Sequence, residues 1–204
     1  MRHDISQKMQ RLEVVDSSHP LWKEVTYQIR IRYKHAFGAV LCSFMPKFLV
    51  MMKGSKIISI CGFQSAENKP LFLEQYLPTQ ADTVLTGAFG EQVNRSQLVE
   101  FGQLSLFTKG TSPLHFYMIA ELLVSQGYEW GICTATDPLH ALMARLGLEP
   151  KVIASADKSC VPNADKVWGS YYQTSPRILA GNLRVGLEHL RSIYSDKQRR
   201  LTGS

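Results

Sequence analysis

The segment that most constrains the fold is Leu98–Phe116, LVEFGQLSLFTKGTSPLHF. A strand-forming run, Leu98–Phe107, passes through the turn formers TKGTSP into a helix start at Pro113. Residues 113–126 are apolar nearly all round, the mark of a buried helix. A second strand, Tyr128–Thr136, follows at once. Asp137-Pro138 then supplies the N-cap and first position of another helix, which ends at Gly147. Strand, helix, strand, helix in that order predicts a sheet covered by helices on both faces.

The flanking sequence extends this sheet. Arg11–Asp16 alternates as a first strand, and SSHP caps a helix over 20–37. There Trp22, Val25, Ile29, Tyr33, Ala36 and Phe37 recur at helical spacing, with Lys23, Arg30 and Lys34 opposite and Gly38 as the stop. Phe48–Lys53 and Lys56–Ala66 read as a hairpin about Gly54-Ser55. After ENKP comes the apolar run Leu71–Leu77, then a short helix from Pro78 to near Gly90. KVIASAD and VWGSYYQT are expected to complete the sheet, with a helix over 179–200. The predicted class is α/β with a mixed central sheet. One domain spans 1–204, with 1–10 a flexible N-terminus and 179–204 a basic helix and tail.

A chain of 204 residues is long enough for one sizeable core. Its formal charge is +6, of which +4 lies from Arg177 onward, where six basic residues face Glu188 and Asp196. Such an end attracts acidic proteins, anionic lipid or nucleic acid, or is simply a solvated helix face. Without aromatic interleaving or zinc spacing, nucleic acid is not an expected partner. Cys42, Cys61, Cys133 and Cys160 form no C-x-x-C pair and are read as reduced, in keeping with a cytosolic setting. No apolar signal region opens the chain and no run approaches a transmembrane length, so any membrane contact would be peripheral. His115 and His140 lack a second ligand at i+4, and no metal site is expected.

Three features could carry chemistry. The corner Lys109, Gly110, Thr111, Ser112 opens a helix, where unpaired backbone N–H groups and a partial positive charge suit a phosphate. Every strand-to-helix corner also needs small residues and a cap. Glu100, in a regular strand, would share a face with Leu98, Gly102, Leu104 and Leu106. Burial there would raise its pKa into the range of a general base, unless a partner such as Arg95 or simple wetting accounts for it. Glu74, Gln75 and Tyr76 interrupt an apolar run, as a core hydrogen-bond network or as a site wall.

Taken in order, FGA (37–39), FMP (44–46), CGF (61–63), LFLEQYL, VEFGQLS, TAT, RLGLEP, WGSYY (168–172) and LAGNL (179–183) resemble the thermostable haemolysin family of Vibrio-type bacteria over about residues 20–185. Gln103 stands where that family often has asparagine. The family is in turn similar to GNAT acyltransferases, with acyl-homoserine-lactone synthases and N-acyl amino acid synthases as analogues. Two departures stand out. The phosphate loop is degenerate, and Met143 stands where a GNAT tyrosine often protonates the leaving thiolate. Tyr171 or Tyr172 would have to replace it.

The resemblance implies a GNAT-like fold and transfer of a fatty acyl group from an acyl-CoA or acyl carrier protein thioester to an amine or amino acid. It implies no permanently bound cofactor. Glu100 would be the base, with Glu74 and Tyr172 beside it. Leu104, Leu106, the 109–112 corner, Thr134 and Thr136 would hold the donor. Gln75, Gln103, Phe63, Trp168 and Tyr171 would meet the substrate. The basic helix around Lys23–Lys34, or the C-terminal one, would dock an acidic carrier. Two other readings stand beside this one: a lytic protein that inserts FMPKFLVMM at a lipid surface, and a GNAT frame that binds acyl thioesters without turnover.

Overall fold

The structure is a computed structural model that describes residues 10–108 and 112–202, with side chains over 10–108 and 113–193. Seven strands form one mixed sheet: β1 (Gln10–Asp16), β2 (Lys47–Lys53), β3 (Lys56–Ser65), β4 (Leu98–Leu106), β5 (Trp130–Ala135), β6 (Lys151–Ser155) and β7 (Arg177–Asn182). Their order across the sheet is β1-β2-β3-β4-β5-β7-β6. Only β4 and β5 pair in parallel, as the strand-helix-strand reading requires.

Helices α1 (Trp22–Phe37) and α2 (Ala81–Phe89) cover one face together with the segment after β6. The opposite face carries α3 (Ser112–Ser125), α4 (Asp137–Arg145) and α6 (Leu183–Thr202). α5 (Ala164–Trp168) is a short helix beside the end of α1. The alternation of β4 and β5 divides the core: Leu98, Trp130 and Ile132 pack under α2, whereas Val99 and Phe101 pack against the α3 side.

The apolar run Leu71–Leu77, assigned to no element from sequence, forms a 3-10 turn over Phe72–Tyr76. Three expectations change. VWGSYYQT is no strand but α5 followed by a 3-10 turn over Tyr171–Thr174. Gly169 explains the break: its φ is +56°, and a Cβ there would lie 2.1 Å from the Phe37 carbonyl oxygen. The last strand is instead Arg177–Asn182, so the C-terminal helix begins at Leu183 rather than 179. RILAGN lies between β5 and β6, and Ile178, Leu179 and Ala180 are all buried, which erases the period-two pattern. The N-terminus of α1 is not capped by SSHP: the Ser18 amide and hydroxyl donate back to Asp16, and Leu21 holds the cap position. The expectation for residues 1–10 lies outside the described residues except at Gln10.

FLVMM, the segment proposed for lipid insertion, is β2 in the interior of the sheet. Phe48 to Met52 are at most 2% exposed. Among the described residues no helix is long and apolar enough to cross a membrane.

Candidate functional site

β4 and β5 pair only from Leu98–Trp130 to Phe101–Cys133. Beyond that point β4 runs on to Leu106 and β5 to Ala135 without pairing, so the sheet opens into a gap. A bulge in β4 accompanies the split. The register against β3 shifts between Gly62–Gly102 and Ile60–Ser105, and Gln103 has φ +50°. The extra residue reverses the alternation expected for a regular strand: Glu100 faces the α2 side, while Leu104 packs with Val99 on the α3 side.

The bulge also aims backbone donors. Phe107 N–H donates to the Ile58 carbonyl across β3. By antiparallel alternation the Leu106 N–H points the other way, into the gap that β5 has left. Among the described residues no strand receives it.

A cavity of about 770 Å³ passes through this gap. On the α1 face its walls are Tyr33, Phe37 and Tyr171; on the other they include Phe116 and Ala120 of α3 and Leu139, Leu142 and Met143 of α4. Gly102, Gln103, Leu104, Leu106, Thr134 and Thr136 line the crossing. The walls are chiefly apolar. One buried polar atom stands out: Thr134 Oγ1 has no hydrogen-bond partner among the described residues. Cys61 and Cys133 also line the cavity, and burial holds both thiols protonated, Cys133 with its pKa pushed up to about 12.

Glu100 is 2% exposed and lies beside this cavity rather than in its wall. Its Oε2 accepts from Phe72 N–H (2.7 Å) and its Oε1 from Leu73 N–H (3.1 Å), so it caps the 3-10 turn. Burial outweighs those two donors and pushes its pKa up to about 8, with the charge of Glu74 acting in the same direction. Gly102, a wall residue, is two positions along on the same strand.

Glu74 is a hub. It accepts from the amides of Leu71 and Ala81, both at 2.8 Å, and from the Arg95 guanidinium at 2.6 Å. Arg95 reaches on to Asp82 (2.8 Å) and the Ala66 carbonyl (3.0 Å). Burial works to raise the Glu74 pKa, but Arg95 and the two amides prevail and hold it below the usual carboxylate value. Arg95 is therefore the partner of Glu74, not of Glu100. Gln75 donates to the Phe72 carbonyl in the same turn.

The other expected residues divide. Gln103 lines the cavity and uses its side chain as a clamp: Oε1 accepts from Met45 N–H (3.0 Å), and Nε2 donates to the Ser43 carbonyl (3.1 Å). The Met45 side chain thereby lies across Gly62 and Gly102, where an added Cβ would come within 2.6 and 2.5 Å of it. Tyr171 is a wall residue, whereas the Tyr172 hydroxyl shares a 2.5 Å hydrogen bond with Tyr76 away from the wall. Trp168 packs on Phe72, Tyr33 and Tyr171, one ring removed from the cavity. Phe63 is buried against the α3 core. Lys109, Gly110 and Thr111 lie outside the described residues, as does the side chain of Ser112, which opens α3.

Sequence reading missed Phe101, Ala120, Leu142 and Leu179 as walls, because a cavity wall and a filled core share one apolar pattern. It also missed Arg32, which lines the cavity from α1 beside Tyr33 and Phe37. Only its spacing to Ala36, four residues on, could have placed it on that face.

The profile of the thermostable hemolysin family matches residues 15–187. No curated protein matches the chain. Among solved structures, the AHL synthase LasI aligns with a TM-score of 0.60 at 11% identity, covering 88% of this chain and 95% of LasI. The CoA-dependent acyl-homoserine lactone synthase BjaI gives 0.58 at 12%, covering 90% of this chain and 89% of BjaI. FeeM, an N-acyl amino acid synthase from uncultured soil microbes, gives 0.56 at 12%, covering 90% and 95%. The split parallel pair, the bulged β4 and the helices on both faces are thus those of a GNAT-like fold. With 173 consecutive residues under one family profile, the chain belongs to the thermostable hemolysin family.

Proposed function

We propose that the protein is an N-acyltransferase that moves a long acyl group from a CoA or acyl carrier protein thioester to an amine. The observation that carries this reading is the apolar cavity crossing the sheet where β4 and β5 part. A two-carbon acyl group would leave most of its 770 Å³ empty. Aliphatic side chains of α3 and α4 would hold the acyl chain, and the gap would hold the thioester.

In the step itself the amine nitrogen adds to the thioester carbonyl carbon. The C–S bond then breaks, and the thiolate leaves with one proton from nitrogen, giving an amide and a free thiol. The Leu106 N–H would polarise the carbonyl and stabilise its developing oxyanion. Glu100 would take that proton through a water beside Gly102 and return it to the departing thiolate, its raised pKa suiting a base near neutral pH. Glu74 would act through Glu100 by fixing the 3-10 turn whose amides hold it. The buried, protonated cysteines make a thiol-bound acyl intermediate a poor route, so transfer is direct. Lys23, Arg30 and Lys34 are exposed on α1, a surface for an acidic carrier.

The test is incubation of the full chain with dodecanoyl-CoA, or with dodecanoyl carrier protein, and a panel of amino acids. Thiol release together with an N-acyl product in the mass spectrum is expected. Glu100→Gln should lower the rate by about 10²-fold or more. Neither thiol nor amide with any donor would refute the reading.

The family description favours a connection to lysis. On this reading lysis follows from an amphiphilic N-acyl product. Dye should then leave liposomes only when donor and acceptor are both supplied. Release by the protein alone would favour direct insertion.

A further inference from the structure

We infer that the acceptor is an amino acid with a free carboxylate and an aromatic side chain, bound at the α1 end of the cavity with its carboxylate on Arg32. The inference rests on the acyl-transfer reading and names the other substrate of that site. The two halves of the cavity differ in chemistry. The side chains that α3 and α4 contribute are chiefly aliphatic, with Phe116 as the one ring among them, whereas the α1 half is walled by the rings of Tyr33, Phe37 and Tyr171. Flat walls favour a flat guest, through offset and edge-to-face ring contacts.

Charge separates the ends as well. Arg32 is exposed and has no ion pair among the described residues. The acidic wall residues, Glu91 and Glu149, follow α2 and precede β6. A carboxylate is repelled there and attracted at α1. The planar guanidinium of Arg32 can take both carboxylate oxygens. A donor phosphate at the helix start is a weaker claimant, because α3, which begins at Ser112, covers the opposite face of the sheet from Arg32. Thr134 adds an independent sign of a ligand: its buried, unpartnered Oγ1 lies in the crossing and on the Glu100 face of β5, where an attacking amine would stand.

Calorimetric binding of reaction products to the intact protein tests this without requiring turnover. The probes are N-octanoyl-phenylalanine, its carboxamide, N-octanoyl-phenethylamine and N-octanoyl-alanine. The free acid of phenylalanine should bind about tenfold or more tightly than the carboxamide or the phenethylamine derivative. It should also bind more tightly than N-octanoyl-alanine. Arg32→Gln should abolish the preference for the acid while leaving the carboxamide's affinity unchanged, and Arg32→Lys should restore part of it. Equal affinities for acid and carboxamide, or an Arg32→Gln variant that still prefers the acid, would overturn the inference. Binding with the expected preference but no thiol release in the transfer assay would instead refute acyl transfer and leave the acceptor site standing.

Discussion

The carboxylate of Glu100 on β4 accepts the backbone N–H of Phe72 at 2.7 Å, across 28 residues of sequence. One side chain therefore ties the central strand to the turn that covers it. Its environment makes opposing demands: two amides favour the anion, and burial favours the acid and prevails.

Stability should fall with rising pH across this titration. Above the unfolded value of 4.5 the unfolded chain has lost the Glu100 proton, whereas the folded chain keeps it to about pH 8. Over that window Glu100 lowers stability by up to about 1.4 kcal/mol per pH unit. His115, buried and pushed down to about 4, has the opposite sign between about 4 and its ordinary 6.5. The two slopes offset one another from 4.5 to 6.5, leaving a net fall from 6.5 to 8. Urea denaturation at pH 6.5 and 8.0 should show that fall in the native sequence and not in Glu100→Gln. As a base, Glu100 should make kcat/KM rise with pH to a plateau above about 8.

Arg95→Met should cost about 2–4 kcal/mol of unfolding free energy, because it leaves Glu74 and Asp82 together without their cation in a largely buried setting. Glu74 then loses the partner that depresses its pKa. That depression contributes stability present above pH 4.5 and lost as pH falls below it, so the variant should lose less on acidification than the native chain. Acid denaturation of both proteins checks the sign.

Gln103→Ala removes both hydrogen bonds that hold the 43–45 segment and puts a β-carbon-only residue at φ +50°. A loss of about 1–3 kcal/mol is expected. Amide exchange at Met45 should quicken at least about tenfold, in line with one lost bond. Asparagine tolerates the left-handed backbone but is one methylene short of spanning to both Ser43 and Met45. Gln103→Asn should therefore retain more stability than Gln103→Ala while still releasing Met45.

Ala120→Phe would fill the cavity under α3. Overpacking costs about 1–3 kcal/mol. Affinity for a dodecanoyl thioester should fall about tenfold or more while a butyryl thioester binds as before, measured by competition for one labelled thioester. Equal loss for both chain lengths would place the acyl group elsewhere.

The two adjacent tyrosines should separate. Tyr172→Phe deprives Tyr76 of its hydrogen bond and should cost about 1 kcal/mol with little effect on transfer. Tyr171→Ala removes a wall ring and should raise KM for an aromatic acceptor by about tenfold.

Much of the architecture was legible residue by residue. Periodicity marked α1 and the buried α3, and the order of motifs from FGA to LAGNL pointed to the haemolysin family and its GNAT-like sheet. The burial of Glu100 could be foreseen from a lone carboxylate in an apolar strand. The aromatic run WGSYY was misread as a strand because alternating large side chains suit both a pleat and a ring cluster. Only the approach of Gly169 to the Phe37 carbonyl decides between them.

What the sequence determined by itself is the elements and their order up to the strand Lys151–Ser155, because caps, turns and hydrophobic periods act over a few residues. Tertiary structure alone decided where the site opens. The β4 bulge, the parting of β4 from β5, the binding of Glu100 to Phe72 and Leu73, and the clasp of Gln103 on Ser43 and Met45 all join residues far apart in the chain. Such contacts depend on how closely the packing of helices on both faces lets distant segments approach. A single bulged residue then reversed which face each later β4 side chain occupies, because alternation along a strand has a period of two.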